Sequence, residues 1–164
     1  MLIPHDGDPT VAPLEGRFEG VERRLTVRLE NYWLSLRWSP RGPFFQDFHP
    51  ARNPVPWTNV FIAHVPTSPK EISFDHVGTA IISLFKPDRT NLRSEDWLPD
   101  TIASRFGNMR VALDLARLSR REDRFDRTNG DTVLYRSLLL PFVDCDRVPT
   151  YVVGAVTYRV EQRS

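Results

Sequence analysis

This chain has a single cysteine, almost no net charge and no long apolar run. Cys145 has no second cysteine to form an intrachain disulfide with, and a lone thiol suits a reducing compartment. Basic and acidic side chains number 22 and 21, so no global field draws in nucleic acid or an anionic membrane. No stretch approaches the roughly twenty apolar residues that span a bilayer. None joins a basic start to an apolar core and a small-residue cleavage site, as a signal peptide would. The expectation is a cytoplasmic protein without nucleic-acid or membrane partners. Also missing are a Gly-rich phosphate loop, a Gly-x-Ser-x-Gly elbow and a His-Glu-x-x-His zinc motif. No nucleophile, base and oxyanion donor can be assembled from nearby residues, so a non-enzyme is expected.

What is present fits one domain with a little extra. The 164 residues, 40% of them apolar, are enough to bury a core without staples. Residues 1–19 hold Pro4, Gly7, Pro9, Pro13 and Gly16 with little periodicity and are expected to be a flexible tail. Over 20–39 the pattern turns helical: Val21, Leu25, Leu29, Trp33 and Leu36 recur every three or four residues, and Pro40 ends the run. Such a seam must bury itself on its own sheet or on a partner, so these five residues are the candidate dimer interface. Six prolines and glycines over 40–56 exclude long regular structure, and Phe44, Phe45 and Phe48 are expected to pin that segment down.

Strands are expected at Asn59–Val65 and Glu71–Val77, paired around Pro66–Pro69. A tight hairpin puts Phe61 opposite His76, Ala63 opposite Phe74 and Val65 opposite Ile72, all on one face. A short helix follows from Gly78 to Phe85, then a polar loop, then one long helix from Pro99 to Leu115 with Ile102, Phe106, Met109 and Leu113 on one side. The charged run Arg117–Arg127 suits an edge strand. Asn129-Gly130 is a turn signal, and Val133 to Gln162 closes the chain as a β-hairpin rich in β-branched and aromatic residues.

Several short segments, in order, carry a resemblance. They are Tyr32-Trp33 in a helix, Asp47-Phe-His-Pro50, the strand Val60-Phe-Ile-Ala-His-Val65, Val77-Gly78-Thr79, Leu139-Leu140-Pro141 and Val153-Gly154-Ala155. Over roughly residues 30 to 160 the chain resembles a PAS domain, and most closely a bacterial family of short stand-alone PAS proteins. The resemblance implies an α+β fold over 40–162: a five-stranded antiparallel sheet with helices on one face and an N-terminal amphipathic helix. It also implies a non-catalytic sensory and signalling module that acts through protein–protein contacts. Its partners would be a second copy in a homodimer and a signalling protein, with room for a small metabolite between sheet and helices. The alternative is a dedicated metabolite receptor with His76 as its polar anchor.

The candidate ligand-binding residues are Phe61, Phe74, His76, Phe106 and Met109. His76 serves either as a hydrogen-bonding pocket group or as a partly buried histidine satisfied by a neighbour. The aromatics serve either as a cavity lining or as plain core. Cys145, flanked by Asp144 and Asp146, reads as a turn residue because nearby negative charge disfavours thiolate. No cofactor is expected. The flavin-adduct Asn-Cys-Arg motif is absent, and residues 99–116 contain no His or Cys to ligate haem. No metal site is expected, since His64 and His76 fall on opposite strand faces and His5 and His49 show no ligand spacing.

Overall fold

The computed structural model describes residues 26–67, 72–85 and 94–163, and of residues 94–97 the backbone alone. The expected tail at 1–19, the seam residues Val21 and Leu25, the loop at 86–93 and the side chain of Trp97 lie outside the described residues.

The fold is α+β. Helix α1 covers 26–35. Two short strands, β1 (Trp38–Ser39) and β2 (Gly42–Pro43), pair around a tight turn, followed by three single 3-10 turns up to Asn59. Strands β3 (Val60–His64) and β4 (Ser73–Val77) precede helices α2 (Thr79–Phe85), α3 (Ser94–Arg105) and α4 (Met109–Leu115). Strands β5 (Ser119–Asp126), β6 (Thr132–Val143) and β7 (Pro149–Glu161) complete one five-stranded antiparallel sheet in the order β4-β3-β7-β6-β5.

The central strands are apolar at consecutive positions, which is the pattern of a strand covered on both faces. Val152 faces one way and Val153 the other, and both are fully buried. On the first face Phe61, Ala63, Leu139, Val152 and Val156 pack against α2, α3 and α4 through Ile81, Leu84, Ile102, Phe106 and Leu113. On the second face Val60, Ile62, Leu138, Leu140, Phe142 and Val153 pack against Leu29 and Trp33 of α1 and against Phe48 and Val55. The three phenylalanines expected to pin the proline-rich segment do so. Phe44 and Phe48 are buried, and Phe45 stacks on Tyr151 at 4.2 Å.

Four expectations need correction. The first helix stops at residue 35 instead of reaching Trp38, because Trp38 and Ser39 turn into a ladder with Gly42 and Pro43. The long helix from Pro99 to Leu115 is two helices. It begins earlier, at Ser94, and breaks where Gly107 takes a φ of 107° and the Asn108 side chain accepts the Val111 N–H as a new N-cap. The third concerns the hairpin register. A bulge between Ile62 and Ala63 leaves Asp75 as an extra residue, so Phe61 pairs with Val77 and Ile62 with His76. Ala63 still pairs with Phe74. Beyond the bulge Val77 takes the helix-covered face and His76 is turned to the other one.

The fourth concerns α1. Leu29 and Trp33 are buried in the chain's own second core and Leu36 is half-buried against it. Trp33 also donates its Nε1 proton to the Pro141 carbonyl at 3.0 Å. In this arrangement these three candidate interface residues face their own sheet instead of a partner. Proline is tolerated at 141 because β5 ends opposite Leu139, leaving one side of β6 without a ladder there.

Leu29→Asp therefore tests docking within the chain. Urea unfolding is expected to show a loss of about 3–5 kcal/mol, the range for an uncompensated buried charge. Arg28→Ala, at an exposed side chain on the same helix, is expected to stay within about 0.5 kcal/mol of wild type.

Candidate functional site

The sheet's first face holds four of the five candidate ligand residues. Phe61 stands opposite Gly154 of β7, and a Cβ on Gly154 would overlap its ring. Glycine is thus required at 154 so that the ring can lie on the backbone. From there the aromatics form a continuous row. Phe61 meets Phe74 edge-on at 5.8 Å and Phe106 at 6.1 Å. Phe106 in turn touches Phe85 at 5.9 Å and Tyr135 at 5.5 Å. Ring centroids at these separations are in packing contact. The place between sheet and helices where a ligand was expected is occupied by the chain's own rings.

Met109 is buried at the start of α4 and lies at the rim of this row. It borders an open cleft of about 360 Å³ whose walls include Val65, Ile72, Gly107, Asn108 and Arg121. Arg110 closes one side, with its guanidinium reaching the carbonyls of Val65 at 3.3 Å and Pro149 at 3.2 Å.

His76 is not part of this site. The bulge puts it on the second face, where its ring stacks on Trp57 with centroids 3.9 Å apart and planes 14° apart. Its Nε2 lies 3.0 Å from the Trp57 carbonyl. A carbonyl only accepts, so Nε2 carries the proton in this pair. The histidine is thus satisfied by a neighbour and lies on the face away from the space between sheet and helices, where it cannot anchor a ligand. His64 sits at the far end of the hairpin beside Tyr151 and 3.4 Å from the Thr150 hydroxyl. Among the described residues no three His, Cys, Asp or Glu side chains come together.

Sequence reasoning missed two polar features of the interior. Arg127, in what read as a solvated charged run, is buried and donates to the Leu84 carbonyl at 3.0 Å, near the end of α2. A cation suits a helix C-terminus, where carbonyls lack partners. Ser137 is buried on the helix-covered face, and its hydroxyl has no hydrogen-bond partner among the described residues. Neither carries a sequence signal, since both follow from where β5 and β6 lie against the helices.

No protein-family model matches this chain, and no curated protein is significantly similar to it in sequence.

Two outcomes are expected here. Phe61→Ala removes the middle ring of the row and is expected to cost about 3–5 kcal/mol in urea unfolding. Gly154→Val alone is expected to destabilise through overlap, and in the Phe61→Ala background to restore part of the loss, because the two positions share one space. The second outcome concerns alkaline pH. Burial, and next the Asp123 carboxylate, hold the Tyr135 phenol above its ordinary pKa. Its hydroxyl donates to the Arg105 carbonyl at 2.8 Å. The unfolded chain then loses this proton first, near pH ~10. Stability from Tyr135 is complete below that pH and falls above it, through the folded-state value. Tyr135→Phe is expected to flatten the alkaline fall in melting temperature.

Proposed function

We propose that this chain is a non-catalytic, PAS-like sensory or signalling module that acts through protein–protein contacts, as a homodimer or against a signalling partner. The reading draws on the order of elements and on the five-stranded antiparallel sheet with its helices on one face. One observation carries the contact function. Helix α1 buries Leu29 and Trp33 on its sheet, yet Val27 and Leu34 stand 46% and 53% exposed on its other side, and Trp38, just past its end in β1, is 39% exposed. Positions 27 and 34 are seven residues, about two turns, apart and so share the outward face of the helix. Trp38 is held rigidly as an anchor by its Nε1 bond to the Trp33 carbonyl at 3.3 Å and by edge-on packing against the Trp33 ring at 4.7 Å. Rigid exposed aromatics of this kind dominate contact energetics.

The filled aromatic row favours this reading over that of a dedicated metabolite receptor. A receptor would have to use the rim cleft at Met109, since His76 lies on the opposite face.

Sedimentation and native mass spectrometry of freshly purified protein separate the two. The expected result is a dimer that carries no small molecule and that Leu34→Asp or Trp38→Ala converts to monomer. A monomer with a stoichiometric co-purified metabolite overturns the contact reading in favour of the receptor.

A further inference from the structure

The turn between β5 and β6 starts at Arg127, whose side chain is buried at 9% exposure. The guanidinium lies against the last turn of α2, where the Leu84 carbonyl accepts from Nη2 at 3.0 Å. Nε has no hydrogen-bond partner, and no ion pair among the described residues includes this side chain. Taking a guanidinium out of water is costly unless its charge is compensated. Here the compensation comes from a helix end, where carbonyls lack partners within the helix and the dipole favours a cation. Arg127 therefore keeps its place only while the end of α2 keeps its own.

The backbone of Arg127 belongs to a second set of bonds. Its N–H donates to the Asp131 carbonyl at 2.7 Å, and its carbonyl accepts from Gly130 at 2.9 Å. The Asn129 side chain ties the turn from within. Its Oδ1 accepts the Asp131 N–H at 2.9 Å, and its Nδ2 donates to Asp131 Oδ2 at 3.1 Å. The other carboxylate oxygen of Asp131 accepts the Arg163 N–H at 3.0 Å, two residues past the end of β7. A Cβ at Gly130 would overlap the Arg163 side chain, so that residue lies directly on the turn. Helix α2 and β7 also meet at the other end of the helix, where the Tyr158 hydroxyl donates to the Ala80 carbonyl at 3.3 Å.

We infer that residues 127–131 form a clasp with two grips, one on the end of α2 and one on the segment that follows β7. Arg127 makes the first grip and Asp131 the second, and the backbone bond between them makes the two open together. Displacing the end of α2 leaves the guanidinium buried without its acceptor. Its expulsion withdraws the Arg127 N–H from Asp131 and frees residue 163. Coupling between sites is reciprocal, so a partner that captures residues 162–163 loosens α2. Because α2 packs on the helix-covered face of the sheet, the clasp joins that face to the segment after β7. The inference rests on these bonds alone and stands whether or not the chain is PAS-like.

Amide hydrogen exchange on the intact chain tests it. Arg127→Met keeps the length of the side chain and removes its donors. It is expected to speed exchange at residues 82–85 and at Arg163 together, by roughly 5–150-fold, the usual span of coupling between sites. The β7 amides at 152–156 are expected to keep their wild-type rates. Asp131→Ala leaves the backbone carbonyl in place and removes the acceptor of the Arg163 N–H. It is expected to speed exchange at Arg163 and, through Arg127, at residues 82–85. Separate responses, with α2 alone affected by Arg127→Met and Arg163 alone by Asp131→Ala, overturn the proposal. So does an equal rise at every amide, 152–156 included, which would show a general loss of stability. Should Arg127→Met fail to fold, Asp131→Ala decides by itself, and unchanged exchange at 82–85 in that variant overturns the clasp.

Discussion

The pair of strands β3 and β7 is apolar on both faces, and most of the molecule is arranged to keep water off it. Val60 and Ile62 point one way while Phe61 and Ala63 point the other, and all four are buried. An antiparallel sheet often leaves one face to solvent. This one cannot, because exposing either side would put a contiguous apolar patch in water. Three helices inserted between β4 and β5 cover one side, and α1 with the Phe-rich, Pro-rich segment covers the other. The sheet's edges are protected differently. β5 carries charge at nearly every position, and β4 is short and bulged, both common ways to blunt an edge against pairing with another chain.

Much of this was legible from residue pattern alone. Strand positions followed from runs of β-branched and aromatic residues, and the closing hairpin from its length and turn residues. The expectation that the helical seam must be buried was met on the chain's own sheet, where Leu29 and Trp33 share a core with Phe48. The errors have two causes. The position of His76 depended on a strict period of two, and one extra residue at Asp75 reverses every side chain after it. A bulge has no dependable sequence signature when glycine is absent. The break at Gly107 and Asn108 did have one, and a single long helix was expected only because a lone glycine within a helical pattern is usually tolerated.

The candidate site fared unevenly. Phe61, Phe74 and Phe106 were correctly placed together because their spacing assigned them to one sheet face and one helix face. Whether the space they enclose is open or filled depends on ring orientation against Gly154, which spacing does not contain. The amphipathic seam raised a similar ambiguity, since a stripe says only that it will be buried. The register of α1 on β6, held by the Trp33–Pro141 hydrogen bond, gives Leu29 and Trp33 to the chain's own sheet. What remains exposed there is Val27 and Leu34 on the helix and Trp38 just beyond it in β1.

By itself the sequence determined the class of fold, the rough extent of most strands, and the requirement that the first helix bury one stripe. These follow from local periodicity and composition, which act over a few residues. The tertiary structure alone decided which face His76 occupies, that the aromatic interior is closed, and that Arg127 sits at the end of α2. Each depends on contacts between segments tens of residues apart, and there a shift of one residue or one ring changes the outcome while the local pattern stays the same.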